Sequence, residues 1–280
     1  MKVLIGFLFL FSINLTFSQL YTPGSGVTDV DGNNYPTINI NGQEWMAENL
    51  RTSKYANGDP IPNVTDNSQW SFLTTGAWVH QNNDSLYEIT YGKLYNWQTV
   101  ADSRNVCPTG WYVPSDINWF ELANYLGGTT VAGGKMKSTG TIESGTGLWN
   151  QPNLGATNEG GFSGIPGGYR TGDGTFEGTF ELGGWVGAWW SSSEFDVVQA
   201  GIIELVEFDE FCNVAFDDKR NGLSIRCMRE STSGLNLINP SPKKLVKILN
   251  TMGQETSVKT NEILFYLYDD GSIEKKITVN

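Results

Sequence analysis

The stretch Cys107-Pro108-Thr109-Gly110-Trp111-Tyr112-Val113-Pro114-Ser115-Asp116 and the residues that follow it decide how this chain is read. Pro114-Ser115-Asp116 opens a helix, with Ser115 as its N-cap. The apolar stripe behind it is Ile117, Phe120, Ala123 and Leu126, broadened by Trp119 and Leu122, and Gly127-Gly128 ends it. A second helix is predicted from Tyr91 to about Ala101, where Leu94, Trp97 and Val100/Ala101 recur at helical spacing.

Strands surround these helices. Val27–Val30 and Tyr35–Ile40 flank Asp31-Gly32-Asn33-Asn34, which reads as a hairpin. Asn41-Gly42 is a second turn, leading into Glu44–Leu50, and Gly58, Pro60 and Pro62 keep residues 52–90 loop-rich. Residues 128–188 are rich in Gly, Thr and Asn, with isolated aromatics. A structureless loop of that length does not suit a compact domain. Phe162, Tyr169, Phe176, Phe180 and Trp185 favour a loop region packed on its own rings. Strands resume at Ala188–Ser192 and run on to Leu223–Met228. Beyond Thr232-Ser233-Gly234 the composition shifts, and Leu245–Leu249, Ile263–Tyr268 and Ile273–Val279 read as a small all-β unit. The expected fold class is α+β: one domain with two helices, short antiparallel sheets and a long loop region, followed by a small all-β C-terminal domain.

Charge narrows the partners. The chain carries a formal net charge of -12. Residues 1–18 hold one Lys and residues 233–280 six Lys against five acids, leaving 11 basic and 25 acidic residues between them, a balance of -14. Such a surface repels phosphate backbones and anionic membranes, so nucleic acid is not an expected partner. At the N-terminus, Lys2, the apolar run Val3–Phe11 and the small residues Thr16 and Ser18 read as an export signal cut before Gln19. Its core is shorter than the roughly 20 apolar residues a membrane span needs. No later segment approaches that length, so no transmembrane span is expected in the mature protein. Export places the three cysteines in an oxidising compartment, where at most one internal pair forms and one cysteine is left over. Their spacing fits no metal pattern, and the chain has one His.

Several phrases resemble a known family. They are Asp29-Val30-Asp31-Gly32-Asn33, Trp45-Met46-Ala47-Glu48-Asn49-Leu50-Arg51-Thr52, Tyr91-Gly92-Lys93-Leu94-Tyr95-Asn96-Trp97, the opening stretch 107–116, Pro166-Gly167-Gly168-Tyr169-Arg170, Trp189-Trp190-Ser191-Ser192-Ser193-Glu194 and Ile225-Arg226-Cys227. In order and number they resemble the Fibrobacter succinogenes major paralogous domain, over about residues 27–230. The resemblance implies a C-type-lectin-like fold, a superfamily that also includes the formylglycine-generating enzymes. It further implies a bridge between a cysteine near the second helix and one on the last strand, the places of Cys107 and Cys227. Closing such a loop contributes on the order of 4–5 kcal/mol in the chain-entropy model. Cys212 matches no family position and is expected as a lone thiol. The tail, through Lys247-Ile248-Leu249-Asn250, Met252-Gly253-Gln254-Glu255 and Leu264–Gly271, resembles the C-terminal sorting domain of the type IX secretion system of Bacteroidetes. That resemblance implies the type IX machinery as a partner and an outer-membrane-surface or extracellular location. The expected boundaries are a signal peptide at 1–18, the lectin-like domain at 19–232 and the sorting domain at 233–280.

Candidate chemistry is weighed against plainer readings. Asp29, Asp31 and Asn33 begin like a calcium loop, but positions six and twelve are Asn34 and Ile40, where an EF-hand needs Gly and Glu. A hairpin turn is the expectation. Gln151-Pro152-Asn153 is similar to tripeptides that hold calcium and sugar in some C-type lectins, but Trp189-Trp190-Ser191-Ser192 stands where the companion Trp-Asn-Asp belongs. A structural turn is favoured, no metal or other cofactor is expected, and calcium lacks a supporting ligand set. The acidic run from Glu194 to Asp218 reads as charges on a solvated strand face. Trp189 and Trp190 read as core, while Trp185 is balanced between core and ligand platform. His80 has no neighbouring nucleophile motif, and neither a Gly-x-Ser-x-Gly elbow nor a P-loop occurs.

The expectation is a non-enzymatic, secreted or surface binding module that recognises a glycan or surface protein through loops 128–188. Gln151, Asn153, Asn158, Glu159, Asp173 and Trp185 are its candidate ligand-binding residues. An enzyme of the formylglycine-generating branch and a structural surface-layer component are the alternatives.

Overall fold

The computed structural model describes residues 19–177, 183–231, 244–249, 255–260, 263–268 and 273–277. The run 1–18 read as an export signal, Phe180, the stretch from Thr232 read as a linker, Asn250, Met252–Gln254 and Asp269–Gly271 lie outside the described residues. The chain divides into two compact units, 1–231 and 232–280. The first is α+β, with several short antiparallel sheets and few helices.

The N-terminal stretch forms β1 (Thr22–Pro23), β2 (Val27–Thr28), β3 (Asn34–Tyr35), β4 (Thr37–Ile40) and β5 (Gln43–Met46). β2 and β3 form the expected hairpin. Its turn is built on Asp29, whose carboxylate accepts the N–H groups of Asp31 and Asn33, the Asn33 amide and the Tyr35 hydroxyl. The Asp29 oxygens are thus spent on the turn. β4 and β5 join through Asn41-Gly42, both at positive φ (50° and 76°), as a two-residue hairpin requires.

Next come α1 (Asn67–Ser71), β6 (Trp78–His80), α2 (Glu88–Tyr91), β7 (Lys93–Tyr95) and α3 (Trp97–Ala101). The single helix predicted over 91–101 is therefore two short helices separated by a strand. Gly92 sits at φ 77°, and a Cβ there would lie 2.8 Å from the Asn49 Cβ and the Leu50 carbonyl oxygen. The chain turns at that point, Lys93–Tyr95 pairs with β6, and Asn96 caps α3 while also accepting the Ala77 N–H. Local periodicity is overridden by a close approach that only glycine permits.

α4 (Asp116–Tyr125) begins at Ser115 with a reciprocal capping box to Asn118. Its buried face is Trp119, Leu122, Ala123 and Leu126, whereas Ile117 and Phe120 are exposed. A 3.6-residue period puts the four buried positions on one roughly 100°-wide face and Ile117 opposite. The stripe predicted through Ile117 and Phe120 is corrected accordingly. α5 (Thr129–Met136) lies in the stretch expected to be loop. Its Gly133 is there for contact: a Cβ would lie 1.9 Å from the Phe211 carbonyl oxygen.

The hairpin β8 (Tyr169–Arg170) and β9 (Phe176–Glu177) precedes the meander β10 (Val186–Glu194), β11 (Gln199–Val206) and β12 (Asn213–Asp218), and β13 (Met228–Glu230) closes the frame sheet in the order β1-β4-β5-β13. In the second unit, β14 (Leu245–Leu249), β15 (Ile263–Tyr268) and β16 (Ile273–Ile277) form an antiparallel sheet.

Three core clusters hold the first unit, the smallest of them Trp70, Ala77, Val79 and Leu94. A second gathers Tyr95, Trp190, Leu223 and Ile225 around a disulfide between Cys107 and Cys227, whose Cα atoms are 5.8 Å apart. The third packs Trp45, Trp119, Trp149, Phe162 and Trp189. The buried Arg226 guanidinium lies 4.4 Å from the Phe162 ring centroid and donates to Asn49 Oδ1 and to the carbonyls of Met46, Phe162 and Ser163. It ties the long loop to the frame. Trp149 Nε1 donates to the Gly164 carbonyl, so the glycine-rich region packs on its own rings.

Candidate functional site

The loops that precede β10 meet the end of β11. Asn150 donates through its backbone to the Gly184 carbonyl at 2.8 Å and through its side chain to Gly183. Leu154 N donates to the Glu207 carbonyl, and Glu207 N to the Trp185 carbonyl at 3.2 Å. These bonds bring Gln151, Asn153 and Trp185 into one neighbourhood. Gln151 is exposed, with its N–H on the Glu143 carboxylate and a cis peptide to Pro152. Asn153 is buried, its amide donating to the carbonyls of Ser138 and Gly140, while its Oδ1 is enclosed with no partner. The Trp185 indole is half exposed; Leu154, whose N–H is on the Glu207 carbonyl, and Phe208, the residue after Glu207, are exposed too.

The other candidates are placed elsewhere and used locally. The Asn158 amide and carbonyl bond Ser163, and the Glu159 carboxylate lies 3.6 Å from Lys135 while its carbonyl accepts the Leu20 N–H. Asp173 closes the β8–β9 turn. The Thr171 hydroxyl and the N–H and hydroxyl of Thr175 hold its carboxyl down at about 2.

Lys137, Glu207 and Phe208 complete the neighbourhood and escaped the sequence reading. The buried Lys137 ammonium donates to the carbonyls of Val206 and Asp209 at 2.8 and 2.7 Å, pinning the turn that carries Phe208. Burial pushes this amine down to about 8, against the pull of Asp209, Glu207 and Glu210. Burial also raises the Glu207 carboxyl, a desolvation that Lys137 partly offsets. The one available signal was a lysine amid glycine and threonine, facing an acidic run far along the chain.

Of the acidic run expected on a solvated face, Glu207 is buried, Glu194 and Asp196 are exposed and the other five are half-buried, while the exposed positions of β12 are Val214 and Phe216. Trp189 and Trp190 are core. His80 Nε2 lies 2.6 Å from the Glu88 carboxylate and its ring meets Trp78 edge-on, a packing role. Cys212 is buried as a free thiol, which burial pushes up to about 12. Among the described residues, no group of three His, Cys, Asp or Glu side chains is placed to hold a metal ion. No helix among them is long and apolar enough to cross a membrane.

The frame and site define a disulfide-tied α+β domain that displays packed loops at one neighbourhood of its surface. A family model described as the Fibrobacter succinogenes major domain matches residues 38–229, from β4 to β13, and the chain belongs to that family. Neither a curated protein nor a solved structure gives a match.

Proposed function

We propose that the first unit is a C-type-lectin-like, non-catalytic binding module of an exported protein, and that it holds a glycan against Trp185. One observation carries this reading. Nine of the ten tryptophans are at most 8% exposed, whereas Trp185 is 50% exposed. A sequence that encloses every other indole leaves this one in water at the start of a long, well-packed strand. Such a ring offers its π-face to the C–H face of a sugar. Gln151 supplies hydrogen-bonding groups for sugar hydroxyls beside it, on a turn fixed by Asn153, while Lys137 pins the 206–209 turn.

Export and surface location rest on the signal-like run 1–18, the sorting-like tail and a disulfide suited to an oxidising compartment. The non-catalytic reading draws on the cysteines. Redox chemistry of the formylglycine-generating kind needs an accessible thiolate, and here two cysteines are paired and the third is buried with a raised thiol.

A glycan array probed with the exported chain and with Trp185→Ala tests this. The expected result is binding to a defined set of glycans, weakened about tenfold or more by the substitution, with unchanged near-ultraviolet circular dichroism. An empty array, or a variant that binds as well as the native chain, sinks the reading.

A further inference from the structure

The sheet β10-β11-β12 ends at β12, which pairs with no further strand among the described residues. Edge strands are ordinarily blunted by lysine, proline or a bulge. β12 reads Asn213-Val214-Ala215-Phe216-Asp217-Asp218, and its exposed positions are apolar: Val214 at 43% and Phe216 at 44%. The Phe216 ring stacks on exposed Phe195, centroids 4.0 Å apart.

Helix α4 packs on β10 and β11 of this sheet. Val214 and Phe216 are the register partners of Ile203 and Gly201, so the four residues share one sheet face. At one end of α4 the Asp116 carboxylate occupies the space a Gly201 Cβ would need. Just past the other end, the Thr129 carbonyl accepts the Cys212 N–H at 2.7 Å, immediately before β12. Phe120 lies one turn from Asp116 on the same helix face and is 52% exposed, with Ile117 exposed beside it. Exposed apolar side chains of the helix and of the edge strand thus lie towards the same face of the sheet, which ends at β12 among the described residues.

Charge selects the occupant. From Glu194 to Asp218 the chain carries eight acidic residues and no basic one; Lys219 pairs with Glu194 and Arg220 with Asp218, which leaves six without those partners, Asp196 and Asp217 among them. Two copies paired through β12 would bring two such acidic sets together, which disfavours self-association. We propose that the exposed apolar edge of β12 docks an extended polypeptide segment of alternating apolar and basic side chains, added to β12 as a fourth strand. Its backbone pairs with β12, its apolar side chains cover Val214, Phe216 and Phe120, and its cations meet Asp196 and Asp217.

The full chain would be titrated with a short peptide of alternating valine and lysine, and with a valine–glutamate counterpart. Amide hydrogen exchange is the readout. The Val–Lys peptide should slow exchange at 213–218 and bind more weakly as salt rises. Phe216→Lys should weaken binding about tenfold. Asp196→Asn with Asp217→Asn leaves the exposed apolar side chains intact and should also weaken it, which keeps the test decisive if the lysine variant fails to fold. Absence of binding, equal binding of the glutamate peptide, or protection outside 213–218 would overturn the proposal. So would concentration-dependent dimers that protect 213–218 without peptide.

Discussion

Trp149 and Trp185 sit in the same glycine-rich stretch and meet opposite fates. Trp149 is fully enclosed with its N–H on Gly164, whereas Trp185 stands half in water. Nothing local in the sequence separates them, because enclosure depends on which distant segment arrives to cover the ring. The same applies to Lys137, whose ammonium serves two carbonyls of the β11–β12 turn. Lys137→Ala should destabilise the domain by about 1–3 kcal/mol, the cost of leaving buried acceptors unpaired, as read by denaturant unfolding. Asp31 makes a pH-dependent contribution. Burial alone would raise its carboxyl, but hydrogen bonds from the Ser53 backbone, Lys54 and the Ser53 hydroxyl outweigh it and hold the group at about 2, against an ordinary 3.8. A carboxyl depressed by folding contributes stability that is complete above about 3.8 and lost as pH falls towards 2. Asp31→Asn should flatten the fall in stability over that interval, and an unchanged acid profile would remove Asp31 from this role. Of the six candidate ligand residues, three share the Trp185 neighbourhood. Asn158, Glu159 and Asp173 are turn and tether residues, which polarity alone cannot distinguish from a binding group.

Elements whose ends carry explicit chemistry were legible. Ser115 and Gly127-Gly128 bracket α4, and Asn41-Gly42 places the β4–β5 hairpin. Ser115→Ala should cost about 1 kcal/mol in thermal or denaturant unfolding, because it removes the hydroxyl that accepts the Asn118 N–H and donates to Asn118 Oδ1, leaving only the backbone half of the capping box. Illegible elements were those set by long-range contact. The helix read over 91–101 fails at Gly92, where Asn49 and Leu50 press against the backbone, and α5 hides behind glycines that admit the 210–211 backbone. Gly92→Ala would combine a positive φ with a close contact on backbone and Cβ atoms. A loss exceeding about 2 kcal/mol is expected, and a neutral effect would show that the turn accepts a side chain.

The whole first unit depends on a cross-link between residues 120 apart in sequence, which ties the segment before α4 to the entry of β13. Reduction, or replacement of both cysteines by serine, should lower stability by about 4–5 kcal/mol in the chain-entropy account, measured by denaturant unfolding of the oxidised and reduced chains. The frame so held keeps nine indoles dry and presents one. Acrylamide quenching of tryptophan emission therefore addresses the central claim directly. In the native chain a single readily quenched component is predicted; it should be missing in Trp185→Phe and should disappear when a glycan identified on the array saturates the protein. Quenching that persists in full beneath a bound glycan would contradict the account.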